Sequence, residues 1–212
     1  MKICYVMGAL KDDAYQIKKK QGDIIIAADA GYENLNGQKP DIVVGDFDSL
    51  GYVPENENVI QHPVHKDDTD TMLAVKTGLN MGYEKFVILG GLGGKLDHTI
   101  ANIQTLAYIN EHGAAGCLAG TSLSAVLLEN GDVSFDESAI GRISVFSYGK
   151  DAFGVTLEGL EYPLADARLT DCFPLGVSNA FTGLKSRVSV SNGRLLVIWE
   201  GPIDKSDFLC NY

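Results

Sequence analysis

The chain lacks any run of roughly 18 apolar residues, the length that marks a membrane-spanning helix, so no membrane partner is expected. Cysteine is scarce. The four stand at positions 4, 117, 172 and 210, too far apart for Cys-x-x-Cys and with no histidine at zinc-finger spacing. They read as reduced residues, mostly packed inside. Positive charge is short as well: 17 Lys and Arg face 28 Asp and Glu, a net charge of −11, and the largest basic cluster is Lys18-Lys19-Lys20. A phosphate backbone would repel such a chain, which excludes nucleic acid as a partner. The opening apolar run Met1–Met7 reaches Gly8 and Lys11 before it is long enough for the apolar core of a signal peptide. A soluble, cytoplasmic protein is expected. The excess of carboxylates leaves a choice between a solvated acidic surface and acids gathered to hold a cation.

What is present divides the 212 residues into two textures. Up to about residue 130, short apolar runs alternate with breaks and helical periods. The runs are Ile3–Met7, Ile24–Ala28, Ile42–Val44, Val59–Ile60, Phe86–Leu89 and Ala114–Ala119. Met72, Val75 and Leu79 recur at helical spacing, as do Ile100, Ile103, Leu106 and Ala107. Val- and Ile-rich runs without polar alternation are buried on both faces, which predicts an α/β domain: an open, mostly parallel sheet with helices on both faces. From about Asp132 the runs become short and turn-punctuated: Ile143–Ser147, Val155–Leu157, Val188–Val190 and Leu195–Trp199. Asn192-Gly193 between the last two is a hairpin signal. A smaller all-β sandwich over 131–212 is predicted after an α/β domain over 1–130.

The acids fall where the first-domain runs end. Ile24–Ala28 leads into Asp29, Ile42–Val44 into Gly45-Asp46-Phe47-Asp48-Ser49, and Phe86–Leu89 into Gly90-Gly91-Leu92-Gly93-Gly94-Lys95-Leu96-Asp97-His98. In a parallel α/β sheet these points share the carboxyl edge, where ligands bind. If the segment stays extended, Asp46 and Asp48 project to one side and Phe47 to the other. Lys66-Asp67-Asp68-Thr69-Asp70-Thr71 precedes the Met72 helix, where one Asp or Thr suffices as a cap and three acids are on offer. Unit charges about 4 Å apart repel by roughly 4 kcal/mol at an effective dielectric near 20. Three or four such groups converge only around a cation, and oxygen ligands without Cys or His favour Mg²⁺ or Mn²⁺.

Gly90–Lys95 is the phosphate candidate, because glycines admit an anion close to the backbone and a helix starting near Asp97-His98-Thr99 aims its N–H groups at it. The bland alternative is a glycine-rich strand-to-helix turn. It is no Walker loop, which needs Gly at Leu89 and Ser or Thr at Leu96, and no dinucleotide fingerprint, since Leu96 takes the third glycine position. His98 suits a cap or a general base. Neither G-x-S-x-G nor a Cys/His pair offers a covalent nucleophile, so the indicated chemistry is metal-assisted phosphoryl or pyrophosphoryl transfer.

Ala28-Asp29-Ala30-Gly31, Gly45-Asp46-Phe47-Asp48-Ser49, Lys66-Asp67-Asp68-Thr69-Asp70 and Gly91–His98, in this order, resemble the thiamine pyrophosphokinase family. So do Gly159-Leu160-Glu161-Tyr162-Pro163-Leu164 and Gly176-Val177-Ser178-Asn179-Ala180-Phe181 in the second half. The resemblance implies transfer of the pyrophosphoryl group of ATP to the hydroxyl of thiamine, giving thiamine diphosphate and AMP with Mg²⁺. It also implies a homodimer with active sites at the subunit interface. By the same resemblance Asp46, Asp48, Asp70 and Asp97 form the metal and catalytic set; on mechanistic grounds Asp70 or Asp97 is the expected acceptor of the hydroxyl proton. Asp67, Thr69, Gly91, Gly93, Gly94, Lys95 and His98 fall to ATP. Asp29, Ser178, Asn179 and Phe181 fall to thiamine, Phe181 by ring stacking; Trp199, within a strand run, reads as core. Lys95 stands where the family usually carries Arg, replacing a bidentate fork with a point charge. The rivals are a Mg²⁺-dependent pyrophosphokinase or nucleotidyl transferase acting on another acceptor such as a pterin, and a non-catalytic nucleotide sensor.

Overall fold

A computed structural model describes residues 2–12, 16–65 and 67–203. Lys66 and Cys210 lie outside the described residues. The chain divides into two compact units, Met1–Thr121 and Ser122–Tyr212.

In the first unit the apolar runs become six strands: β1 (Cys4–Met7), β2 (Ile24–Ala28), β3 (Ile42–Gly45), β4 (Val59–Gln61), β5 (Lys85–Leu89) and β6 (Ala115–Ala119). They lie parallel in the order β6-β5-β1-β2-β3-β4. Every residue of β1, β2, β3, β5 and β6 is buried, the mark of a sheet covered on both faces. Helix α1 (Asp70–Asn80) packs Leu73, Ala74, Val75 and Gly78 toward β1, β2 and β3. Thr69 opens it, its Oγ1 accepting the Met72 N–H at 3.2 Å. Gly78 permits that approach: a Cβ there would lie 2.7 Å from Phe86 Cε1 and 2.8 Å from Cys4 Sγ. Helix α2 (Leu96–Glu111) packs on β6 and against α1, with Leu106 and Ile109 fully buried. Strand order turns back between β1 and β5, so the glycine loop after β5 falls at the switch point of the sheet.

The second unit is all β. Strands β7 (Leu123–Glu129), β9 (Arg142–Ser147), β12 (Gly176–Ala180) and β14 (Arg194–Glu200) pair antiparallel in the order β12-β9-β14-β7. Strands β8 (Asp132–Phe135), β10 (Ala152–Glu158), β11 (Leu164–Leu169) and β13 (Ser186–Ser189) form a second sheet, β11-β10-β13-β8. Phe135 of β8 meets Trp199 of β14 edge-on, ring centroids 5.2 Å apart, and Trp199 is core as read from the sequence.

Two features differ from expectation. Asn192-Gly193 does not close a hairpin: β13 pairs with β10 and β8, whereas β14 pairs with β7 and β9. The turn carries the chain from one sheet to the other: β14 pairs over its seven residues with β7, and β13 pairs with β8 and β10. The units also divide at Thr121/Ser122 rather than near Asn130, since β7 pairs along its whole length with β14.

Candidate functional site

Three backbone positions place the acids. Asp29 follows β2 and opens a 3₁₀ helix (Asp29–Leu35), Asp46 follows β3, and Asp70 is the first residue of α1. One carboxylate oxygen from each lies within 4.8 Å of the others. Asp29 is 6 % exposed, and its Oδ1 has no hydrogen-bond partner among the described residues. A buried carboxylate oxygen left without a donor beside two further acids is unfavourable as it stands. Three hard oxygens around one point fit a divalent cation, which satisfies the orphaned oxygen and offsets the repulsion together.

This grouping differs from the expected one. Asp29, assigned to thiamine by resemblance, stands with Asp46 and Asp70; Asp48 and Asp97 stand outside. For Asp48 the reason is local. Phe47 has φ +63° and is 3 % exposed, so the chain turns instead of running extended, and Asp46 and Asp48 do not share a side. A left-handed φ costs a bulky residue roughly 1–2 kcal/mol. Burial of the ring, worth about 1.5–3 kcal/mol, offsets this. Asp46 Oδ1 accepts the Asp48 N–H at 3.2 Å, and Asp48 Oδ1 accepts the Ser49 hydroxyl at 3.1 Å on the exposed side. Asp97 lies exposed in the first turn of α2, its Oδ1 accepting the His98 N–H at 2.9 Å. Nothing in spacing alone distinguished Asp29 from these two; only the convergence of three separate elements does.

In the acidic run before α1, Thr69 is the cap, Asp68 pairs with Lys76 at 2.6 Å and Asp67 is exposed. The pair holds the Lys76 ammonium charged to higher pH than usual, through its hydrogen bond to Asp68, and its Nζ lies 5.6 Å from the Tyr108 ring centroid. Asp70 alone of the three acids joins the cluster.

The glycine loop bends through left-handed φ at Gly90, Gly93 and Gly94. Gly91 is buried, its carbonyl accepting from Asn102 Nδ2 at 2.9 Å. Thr99 Oγ1 donates to the carbonyls of Gly93 and Lys95, at 3.1 and 3.2 Å. These bonds fix the loop, while Gly93, Gly94, Lys95 and His98 are exposed and the N-cap residue of α2, Lys95, makes no side-chain capping bond.

In the second unit Ser178 sits at φ +58° in a β-bulge of β12, exposed, its N–H donated to Ser144 Oγ at 3.1 Å. Asn179 is buried and committed: its Oδ1 accepts the N–H groups of Tyr162 and Ala180, both at 2.9 Å, and its Nδ2 donates to the Tyr162 carbonyl at 2.8 Å. Phe181 is half-buried against Phe135, centroids 5.1 Å apart.

Residues 15–117 match the family described as thiamin pyrophosphokinase, catalytic domain, and residues 132–196 match thiamin pyrophosphokinase, vitamin B1 binding domain. The chain belongs to the thiamine pyrophosphokinase family. Thiamine pyrophosphokinase of Bacillus subtilis (strain 168) is 26 % identical over 163 residues, covering 73 % of this chain and 75 % of the relative. Thiamin pyrophosphokinase 1 of Caenorhabditis elegans is 35 % identical over 74 residues, 32 % of this chain and 30 % of the relative. The fold of this thiamine pyrophosphokinase family member is that of the crystallised Bacillus subtilis thiamine pyrophosphokinase, with a TM-score of 0.79 at 24 % identity over 96 % of this chain and 100 % of that one.

Proposed function

We propose that this protein transfers the pyrophosphoryl group of ATP to the hydroxyl of thiamine, giving thiamine diphosphate and AMP. The observation that carries the reading is the convergence of Asp29, Asp46 and Asp70, with one buried oxygen unpartnered, in a chain that matches both domains of the family. The three carboxylates hold the cation, which we take to be Mg²⁺. When bound, it supplies charge neutralisation at the phosphate oxygens. The exposed amides of the glycine loop and the start of α2 receive the phosphates, with Lys95 as a point charge beside them. Asp97, exposed and outside the cation group, accepts the hydroxyl proton of thiamine. Ser178 presents its hydroxyl to thiamine, and Asn179 acts by holding Tyr162 in place. The working form in this reading is a cytoplasmic homodimer with active sites at the subunit interface, as the family resemblance implies.

Incubation with ATP, Mg²⁺ and thiamine is expected to yield AMP and thiamine diphosphate in equal amounts; absence of both products sinks the proposal. Asp97→Asn is expected to lower kcat by about 10²–10⁴-fold, the contribution of a positioned acid or base. Cation binding by that variant, measured without nucleotide, should match the parent. Loss of both together would place Asp97 among the cation ligands instead.

A further inference from the structure

Phe47 stands in the interior in a backbone conformation that favours glycine, between one half-buried and one exposed aspartate. Gly, Asn or Asp would adopt that φ at lower cost, so the bulk of the ring is what the position uses. A bulky left-handed residue persists only where its surroundings over-determine it. The Phe47 carbonyl accepts the Gly51 N–H at 3.0 Å, closing the turn after it. On the other side the Gly45 carbonyl accepts the His62 N–H at 2.9 Å, tying the end of β3 to the chain leaving β4. Gly45 also lets Asp29 approach: a Cβ at 45 would lie 3.1 Å from both Cα and Cβ of Asp29. Asp46 is thus held between a tethered glycine and a buried ring.

We propose that Phe47 is the positioning residue of the acidic site. Its buried ring fixes the left-handed turn that aims Asp46 at Asp29 and Asp70 and turns Asp48 outward. The inference rests on the cation reading given above, yet concerns the aim of one carboxylate and not the reaction.

The test is a series, Phe47→Leu, Phe47→Ala and Phe47→Gly, with Mn²⁺ affinity measured calorimetrically or by electron paramagnetic resonance on protein without nucleotide or thiamine. Removing a group that orients a metal ligand costs about 10–100-fold in affinity. Phe47→Leu, which keeps an apolar anchor, should stay near the parent, whereas Phe47→Ala and Phe47→Gly should lose at least about tenfold. Any member that keeps the parent's circular dichroism counts, and parent-like affinity in the folded Ala or Gly variant overturns the proposal. If the parent itself binds no Mn²⁺, the cation reading fails and the crystal structure of Phe47→Leu or Phe47→Ala decides the positioning separately. Asp46 still within 4.8 Å of Asp29 and Asp70 in the Ala variant then overturns it, and Asp46 turned away upholds it.

Discussion

Asp29 concentrates the physics of the site in one residue: buried, left-handed at φ +45°, and with an oxygen that no donor among the described residues satisfies. Without a cation the buried Oδ1 lacks the partner that a desolvated polar atom needs. Asp29→Asn is therefore expected to raise Tm in a metal-free buffer and to lose most of the Tm gain that Mg²⁺ gives the parent. A ligand at 100 times its Kd stabilises by about 2.7 kcal/mol, so thermal scans with and without Mg²⁺ resolve the difference. A second prediction concerns the thiols. Cys4 and Cys117 are buried and Cys172 is exposed. Burial, with the Asp41 charge adding, pushes the Cys4 thiol well above its ordinary range. In a Cys210→Ser background, a thiol reagent at neutral pH should label Cys172 quickly and Cys4 and Cys117 only on unfolding. The sequence identified all these residues but ranked them by spacing, and spacing does not see φ. Phe47 is the instance: an extended reading puts Asp46 and Asp48 on one side, and a single left-handed residue parts them.

Elements were legible wherever a local pattern sufficed. Ile24–Ala28 is β2 to the residue, and the Met72/Val75/Leu79 period lies within α1. Strands β7, β8, β11 and β12 are not read from the sequence as separate strands; β7, β8 and β12 find their partners far along the chain, whereas β11 pairs with β10 just before it. The close packing of α1 yields a prediction. Gly78→Ala gains about 1 kcal/mol in helix propensity but forces a methyl against Phe86 and Cys4, an overpacking that costs about 1–3 kcal/mol. The net should be destabilisation of up to about 2 kcal/mol, read as a lower denaturation midpoint. In β12, neighbouring residues separate by role. Asn179→Ala strands the Tyr162 N–H and C=O and should cost about 1–3 kcal/mol in stability. Ser178→Ala, at an exposed site, should leave stability near the parent's and raise KM for thiamine. Equal destabilisation by both would argue that Ser178 is structural too.

At the scale of the molecule, the net charge of −11 was ambiguous between surface and site. The structure apportions it. Asp41, Asp68, Asp132 and Asp151 are spent on ion pairs with Lys19, Lys76, Arg187 and Arg168, while Asp29, Asp46 and Asp70 converge. The proposed dimer belongs to this scale: sedimentation at micromolar concentration is expected to give twice the monomer mass, and a monomer at full activity would remove the interface from the proposal. The sequence by itself determined the two textures, the parallel sheet with its acids at strand ends, and the family, because apolar periodicity and motif order are local properties of a chain. Only the tertiary structure decided which acids meet, why Asn192-Gly193 joins two sheets instead of closing a hairpin, and why Asn179 serves Tyr162. Those outcomes depend on contacts between residues far apart in sequence and on the sign of φ at single residues, neither of which side-chain spacing encodes.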